Sequence, residues 1–199
     1  ALGVEYRLAP EYIFPAAVED SLAVYKWALD HGFEPKNIVL AGDSAGGGLV
    51  ISTLLKARDS AAPMPGAGIC LSPWIDMECT GASMSANADS DVFIGYNGLR
   101  ARAQSYLGEA DPRNPLASAL YADLQGLPPL LIHVGSDEAL LDDSTRLAAL
   151  GSDFGIDVTL KIWDNMVHVW QVFASVLPEG QESIQEIGEF IRGKLDWNP

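Results

Sequence analysis

The most constraining feature of the sequence is a Gly-x-Ser-x-Gly pentapeptide that stands between a short apolar run and a helix-prone stretch. Gly42-Asp43-Ser44-Ala45-Gly46 follows Ile38-Val39-Leu40-Ala41 and precedes residues 49–58. A strand, a sharp turn and a helix in this order form a nucleophile elbow, whose serine is held in a strained backbone conformation. Glycine is expected at both outer positions, because a side chain there would collide with the strand or the helix. The pattern predicts Ser44 as a nucleophile at the positive end of a helix dipole.

Two downstream strands lead to candidates for the partners of this serine. Residues 129–135 form an apolar strand that runs into Asp137, and residues 158–163 form the next strand, which is followed by a loop that carries His168. A serine nucleophile needs a base and a group that orients the base. The order serine, acid, histidine, with each residue at the end of a strand, is one known solution. The stretch between Asp137 and His168 has room for one helix (140–150) and one strand, as a crossover between parallel neighbours requires.

Elimination selects the base from the three histidines of the chain. His31 stands at the end of an amphipathic helix, where an imidazole interacts favourably with the negative end of the dipole, so a capping role is predicted. His133 lies inside an apolar strand and is predicted to be a hydrogen-bonded core residue. His168 lies in a loop and has no evident structural role, so it is the predicted base.

Four carboxylates compete for the role of the acid. Asp142 and Asp143 fall within the next predicted helix, and Glu138 lies one residue past the turn. Asp137 is the first acidic residue that can point across the strand ends. We therefore predict Asp137 as the acid, with Glu138 as the alternative.

Several further motifs resemble one family of esterases. They are Tyr6-Arg7-Leu8-Ala9-Pro10-Glu11, Phe14-Pro15-Ala16-Ala17-Val18-Glu19-Asp20, the elbow Gly42-Asp43-Ser44-Ala45-Gly46-Gly47, Leu71-Ser72-Pro73-Trp74, Asp111-Pro112, Gly126-Leu127-Pro128-Pro129 and Gly135-Ser136-Asp137. In combination they are similar to the hormone-sensitive-lipase-like esterases of bacterial family IV, which have the α/β-hydrolase fold. The resemblance implies hydrolysis of short-acyl carboxylic esters without a cofactor or metal. It also implies Ser44, Asp137 and His168 as nucleophile, acid and base, although the acid turn reads Asp-Glu-Ala-Leu-Leu-Asp where the family commonly has Asp-Pro-Leu-Arg-Asp.

One family motif is absent from the sequence. Family members carry His-Gly-Gly-Gly well upstream of the nucleophile, where its backbone N–H groups help to form the oxyanion hole. Only 43 residues precede Ser44, and they begin with Ala1-Leu2-Gly3-Val4-Glu5, which we assign to a strand that leads to Leu8. We therefore expect the chain to be the carboxyl-terminal two-thirds of an esterase, with an open sheet edge beside strand 37–41 that another copy can pair with. An intact mass near 21.3 kDa would indicate a true fragment.

Composition narrows the possible partners. Twelve basic and 27 acidic residues give a net charge of −15, which argues against nucleic acids and anionic membranes as partners and favours neutral or cationic small molecules. No apolar stretch is long enough to span a membrane, and we favour a cytoplasmic location, although a signal peptide cannot be judged without the initiator methionine. The two cysteines, Cys70 and Cys79, have no metal or redox spacing and are expected to be free thiols.

Helices and strands alternate along most of the chain, which predicts a mostly parallel sheet with helices on both faces in one domain, residues 1–199. Residues 75–115 break the alternation and contain a helical piece near 98–107, so we predict a cap or lid insertion there. Five residues in or next to this region could line an acyl pocket, namely Trp74, Met77, Met84, Phe93 and Tyr96. The last helix, about 180–195, places Ile184, Ile187, Ile191 and Leu195 on one face for packing or an interface.

The predicted mechanism is acyl transfer in two steps. His168 takes the proton of Ser44, Asp137 holds the imidazole, and the N–H of Ala45 donates to the oxyanion. Two alternatives stay open, a non-catalytic binding protein on the same fold and a peptidase or lactonase with the same residues, because fold and triad do not fix the leaving group.

Overall fold

The computed structural model describes residues 1–195, and its centre is a four-stranded, entirely parallel sheet. The strands are β1 (Val39–Asp43), β2 (Ala67–Leu71), β3 (Leu130–Gly135) and β4 (Val158–Trp163), and they pair in the order β1-β2-β3-β4. Strand β3 is buried along its whole length, as expected of an interior strand whose two faces are both covered. The parallel arrangement brings the carboxyl ends of all four strands to one edge of the sheet.

Six α-helices connect and cover the strands within the described residues. They are α1 (Ala16–Asp30), α2 (Ala45–Asp59), α3 (Ser83–Ala86), α4 (Tyr96–Leu107), α5 (Leu141–Asp153) and α6 (Pro178–Lys194). Apolar side chains of α2 and α5 share one core cluster with Leu130 and Ile132 of β3. Ser183 of α6 contacts His133, the residue after Ile132, so α6 covers the opposite face of the sheet. The α/β-hydrolase fold that the sequence predicts is confirmed, with helices on both faces.

The amino-terminal residues differ from the prediction. Residues 1–8 form no strand, and most of them are exposed. A strand needs a neighbour that accepts and donates its backbone hydrogen bonds, and among residues 1–195 these residues pair with none. Their firmest attachment is Arg7, whose guanidinium donates to the carboxylate of Asp20 in α1 at 2.8 Å. The predicted strand before Leu8 is therefore wrong for the described chain.

Strand β1 lies at one edge of the sheet. Within the described residues it pairs only with β2, and Ala41 and Asp43 are exposed. The open edge expected beside strand 37–41 is therefore present in this structure.

The segment between β2 and β3 departs from simple alternation, as predicted. It contains α3 and α4, and the predicted helical piece at 98–107 is the carboxyl-terminal part of α4. Its apolar side chains form a second core cluster with Ala139 and Leu140, which follow β3. The assignment of residues 75–115 as a cap stays a prediction.

Three further features of the described residues bear on function. None of the helices between residues 1 and 195 combines the length and the apolarity needed to cross a membrane. In the same range, no cluster of three or more His, Cys, Asp or Glu side chains is arranged to hold a metal ion. Cys70 and Cys79 are buried free thiols, as predicted, and burial raises the pKa of Cys70 to about 12. Both thiols are thus protonated at neutral pH.

Candidate active site

Ser44 stands on a strained turn between β1 and α2. Its backbone has φ 53° and ψ −120°, a conformation that costs a non-glycine residue of order 1–3 kcal/mol. The neighbouring strand holds the turn in place, because the N–H of Ser44 donates to the carbonyl of Leu71 at 2.8 Å and the N–H of Trp74 donates to the carbonyl of Ser44 at 3.0 Å. This is the geometry of a nucleophile elbow.

The glycines of the elbow have unequal roles. A Cβ atom on Gly42 would lie 2.3 Å from the carbonyl oxygen of Gly46, a contact that would force β1 and α2 apart. A Cβ atom on Gly46 would meet no heavy atom of the described residues within 4 Å. The expectation that a side chain would collide therefore holds at Gly42. At Gly46 it is wrong in this chain, because the space that a side chain would enter is open. A second tight contact, not predicted from the sequence, is at Gly47, where a Cβ atom would lie 2.9 Å from Pro73.

Three side chains from different strand ends form a continuous line of hydrogen bonds. Nε2 of His168 lies 2.9 Å from Oγ of Ser44, and Nδ1 lies 2.9 Å from Oε2 of Glu138. A carboxylate only accepts hydrogen bonds, so Nδ1 carries the proton and Nε2 is left to accept the hydroxyl proton of Ser44. The structure thus brings Ser44 and His168 together in the relative position that proton transfer requires.

The carboxylate of Glu138 is fully buried and fixed at both oxygens. Oε1 accepts the N–H of Gly135 at 2.6 Å and the hydroxyl of Ser72 at 2.7 Å, which leaves Oε2 for His168. Ser72 has φ 46° and its Oγ also accepts the N–H of Val169, next to the histidine. Ser72 therefore ties the carboxylate to the histidine loop. No role for Ser72 was predicted from the sequence, although its place directly after β2 was a signal.

Asp137 does not occupy the predicted position. Its carboxylate accepts the hydroxyl of its neighbour Ser136 at 2.9 Å, is partly exposed, and makes no described hydrogen bond to His168. The tight turn after β3 directs the side chain of Glu138, one residue later, back across the strand ends, and its extra methylene reaches the imidazole. The placement of Asp137 beside the histidine is therefore wrong, and the alternative considered from the sequence, Glu138, occupies that place.

The other two histidines have the structural roles that the sequence predicts. His31 is the carboxyl-terminal cap of α1, and its Nδ1 lies 2.8 Å from the carbonyl oxygen of Trp27. His133 is buried in β3 with Nδ1 2.9 Å from Oγ of Ser183. Burial lowers the pKa of His133 to about 4, so this imidazole is neutral at physiological pH.

A cavity of about 340 Å³ lies beside the elbow on the α2 side. Ala45 borders it as the first residue of α2, where a backbone N–H has no acceptor within the helix. Of the five residues predicted to line an acyl pocket, Trp74 and Met77 line this cavity, whereas Met84 is buried in the second core cluster and Phe93 and Tyr96 are exposed. The wall is mainly apolar, with Tyr6, Arg7, Arg102 and Tyr106 as its large polar members.

Comparison with known proteins shows the family to which the chain belongs. A family model described as alpha/beta hydrolase fold matches residues 1–172, and the chain belongs to that family. Among solved structures, it superposes with a TM-score of 0.95 and 53% identity on an esterase from the bacterial hormone-sensitive lipase family, covering 96% of this chain and 64% of that one. An esterase/lipase from an uncultured bacterium gives a TM-score of 0.94 at 51% identity, with 97% and 65% covered. Within the family, the chain belongs to the hormone-sensitive-lipase-like group.

Two related proteins are similar to the chain in amino-acid sequence. The chain is 46% identical over 191 residues to the acetyl-hydrolase of Streptomyces hygroscopicus, with 96% of this chain and 64% of that protein covered. It is 35% identical over 188 residues to an esterase of Acinetobacter venetianus, with 94% and 62% covered. The chain thus spans somewhat less than two thirds of the length of each of these proteins.

Proposed function

We propose that the chain carries the acid, base and nucleophile of a serine carboxylesterase that hydrolyses short-acyl carboxylic esters. The observation that supports this most strongly is the continuous line from Ser44 through His168 to Glu138, with 2.9 Å at each of its two links. The names of the relatives support the same reaction class, since they include an acetyl-hydrolase and several esterases.

The reaction proceeds by acyl transfer through two tetrahedral intermediates. Oγ of Ser44 attacks the ester carbonyl while Nε2 of His168 takes its proton, and the imidazolium then protonates the departing alcohol. Water repeats the sequence on the acyl-enzyme, which releases the carboxylic acid and restores Ser44. Glu138 fixes the imidazole tautomer and stabilises the positive charge that forms on it, as an aspartate does in other serine hydrolases.

The N–H of Ala45 donates to the oxyanion of each intermediate. Its position at the first turn of α2 adds the positive end of the helix dipole to the hydrogen bond. In the family, His-Gly-Gly-Gly supplies further donors, and each oxyanion donor contributes about 10²–10³ to the rate.

Labelling and turnover together test this proposal, in the protein as its gene encodes it. An organophosphate should modify Ser44 alone, as located by peptide mapping, and should leave the Ser44→Ala variant unmodified. A panel of p-nitrophenyl esters of increasing chain length should give its highest kcat/KM with short acyl groups. Beside it, a peptide anilide should be a poor substrate. An adduct on Ser72 or Ser136 would overturn the assignment of the nucleophile, and preferred cleavage of the anilide would make the protein a peptidase.

A further inference from the structure

The turn that carries Glu138 receives hydrogen bonds from side chains of the segment between β2 and β3. Residues 136–139 form this turn. Each of its four backbone carbonyl oxygens accepts a hydrogen bond from a side chain of the segment between β2 and β3. Asn87 Nδ2 donates to Ser136 at 2.9 Å and to Glu138 at 2.8 Å. The hydroxyl of Ser90 donates to Asp137 at 3.1 Å, and the hydroxyl of Ser83 donates to Ala139 at 2.7 Å.

Asp91 also bonds to this turn, but as a hydrogen-bond acceptor rather than as a donor. Its Oδ2 accepts the N–H of Ala139 at 2.8 Å, and its Oδ1 accepts the N–H groups of Phe93 and Ile94 at 3.0 and 2.9 Å. The side chain is buried, so these bonds form where water competes weakly. One carboxylate therefore joins the backbone of the inserted segment to the backbone of the acid turn.

A further pair of hydrogen bonds joins Ser83 of the segment between β2 and β3 to the start of α5. The N–H of Ser83 donates to Oδ2 of Asp142, and the N–H of Asp142 donates to Oγ of Ser83, both at 3.0 Å. The inserted residues 83–91 are thus attached on both sides of Glu138, to the turn itself and to the first turn of the following helix.

The position of this backbone matters because the carboxylate of Glu138 has little freedom. It must meet Ser72 and the N–H of Gly135 with one oxygen and His168 with the other. A shift of about 1 Å in a group that orients a reacting residue can cost on the order of 10²-fold in rate. Loss of the bonds to the turn would let the backbone of Glu138 move while the rest of the fold stays intact.

We propose that residues 83–91 are a positioning element for Glu138, in which Asn87 and Asp91 act on the rate through the placement of that carboxylate. This inference rests on the proposed function, in which Glu138 orients His168. It assigns to part of the predicted cap a role at the acid turn.

The test is Asn87→Leu in the protein as its gene encodes it, which keeps the side-chain size and removes both donors. With p-nitrophenyl butyrate we expect kcat to fall about 10-fold to 10²-fold, as a displaced orienting group would cause, while KM changes little. The matched control is Asn114→Leu, because Asn114 is also half-buried in the same segment and its side chain caps only a local turn by accepting the N–H of Leu116. The control should keep kcat within about twofold, as expected of a local change away from the site.

A double variant separates positioning from general destabilisation. In the Glu138→Gln background, Asn87→Leu should lower kcat by less than about twofold, since residues that act as one unit are not additive, and its effect on Tm should persist. Full multiplication of the two effects, or a kcat for Asn87→Leu equal to that of the control, would overturn the inference. If Asn87→Leu fails to fold, Asp91→Asn takes its place with the same two criteria. Unchanged activity of Glu138→Gln itself would instead contradict the proposed function.

Discussion

The two halves of the candidate site are held in different ways. The acid and base lie on loops after β3 and β4, where Glu138 is fully buried and the side chain of His168 is 8% exposed. The nucleophile follows β1, a strand that pairs on one side only within the described residues and whose last residues are partly exposed. The half with Glu138 is fixed by many contacts between distant parts of the chain. The half with Ser44 consists of a strained turn that two backbone hydrogen bonds join to Leu71 and Trp74, beside an open edge and a cavity.

Because of this difference, we expect the two halves to respond to different changes. A strained local turn tolerates no added atom at its tightest point, whereas a buried hydrogen-bonded network is sensitive to the loss of a partner or to a change of charge. Each of the following predictions addresses one element of the site or of the sheet that carries it, and each is paired with a matched control.

The largest expected effect is on the base. His168→Ala should lower kcat by roughly 10⁴–10⁶, the range found when a triad histidine is removed. His133→Ala should act mainly on the free energy of unfolding, because this imidazole bonds to Ser183 rather than to the site. Steady-state kinetics and denaturant unfolding of both variants check the prediction, and a comparable loss of kcat in a folded His133→Ala variant would contradict it.

The elbow glycines give the second prediction. Gly42→Ala should lower the free energy of unfolding by about 3 kcal/mol or more, since it places a Cβ atom against backbone that cannot move aside. Gly46→Ala should change it by less than about 0.5 kcal/mol, because its Cβ atom enters open space. Urea denaturation measures both values. Equal destabilisation would show that a further part of the protein packs against Gly46.

The buried histidine of β3 gives a pH-dependent prediction. The pKa of His133 is about 4 in the folded chain and about 6.5 in the unfolded chain, because burial opposes the charged form. The corresponding stability is therefore fully present above pH 6.5 and is lost as the pH falls toward 4, by roughly 3 kcal/mol in total. Residues that face the imidazole are Ser183, Glu186, Lys161 and Trp163, and the Glu186 carboxylate partly offsets the shift.

Comparison with His133→Gln isolates this contribution. The amide keeps a hydrogen bond to Ser183 without a charge change, so the wild type should lose more stability than the variant between pH 7 and pH 4.5. The control is needed because burial raises the pKa of Asp143 to about 7, and that group changes stability with the opposite sign between about pH 4 and 7. Parallel pH profiles for wild type and variant would rule out the role assigned to His133.

The smallest effect concerns the open edge of β1. The 199-residue chain, purified alone, should self-associate through this edge, because unpaired strand groups recruit other chains. Ala41→Lys should raise the dissociation constant about fivefold, or about 1 kcal/mol, whereas Ala101→Lys on the exposed face of α4 should leave it unchanged. Analytical ultracentrifugation measures both, and a concentration-independent monomer would contradict this prediction.

The sequence predicted most of the fold because its signals are local. The bounds of β4 agree with the predicted strand 158–163, and the elbow could be recognised from five consecutive residues together with the apolar run before them and the helix-prone stretch after them. The acid could not be assigned in this way. The choice between Asp137 and Glu138 depends on how one turn bends after β3 and on Ser72 from another strand, and neither is encoded in nearby residues. The prediction of a strand before Leu8 was wrong for the same reason, since a strand forms only beside another strand that pairs with it by hydrogen bonds.

The identity of the acid tests the account most directly. Glu138→Gln and Asp137→Asn are isosteric changes at adjacent residues, so their kcat values with a short-chain p-nitrophenyl ester can be compared without a difference in bulk. Glu138→Gln should cost roughly 10⁴ in kcat, because an amide favours the wrong imidazole tautomer, and Asp137→Asn should stay within about threefold, as for a partly exposed residue outside the site. The opposite ranking, with both variants folded, would contradict the line from Ser44 through His168 to Glu138.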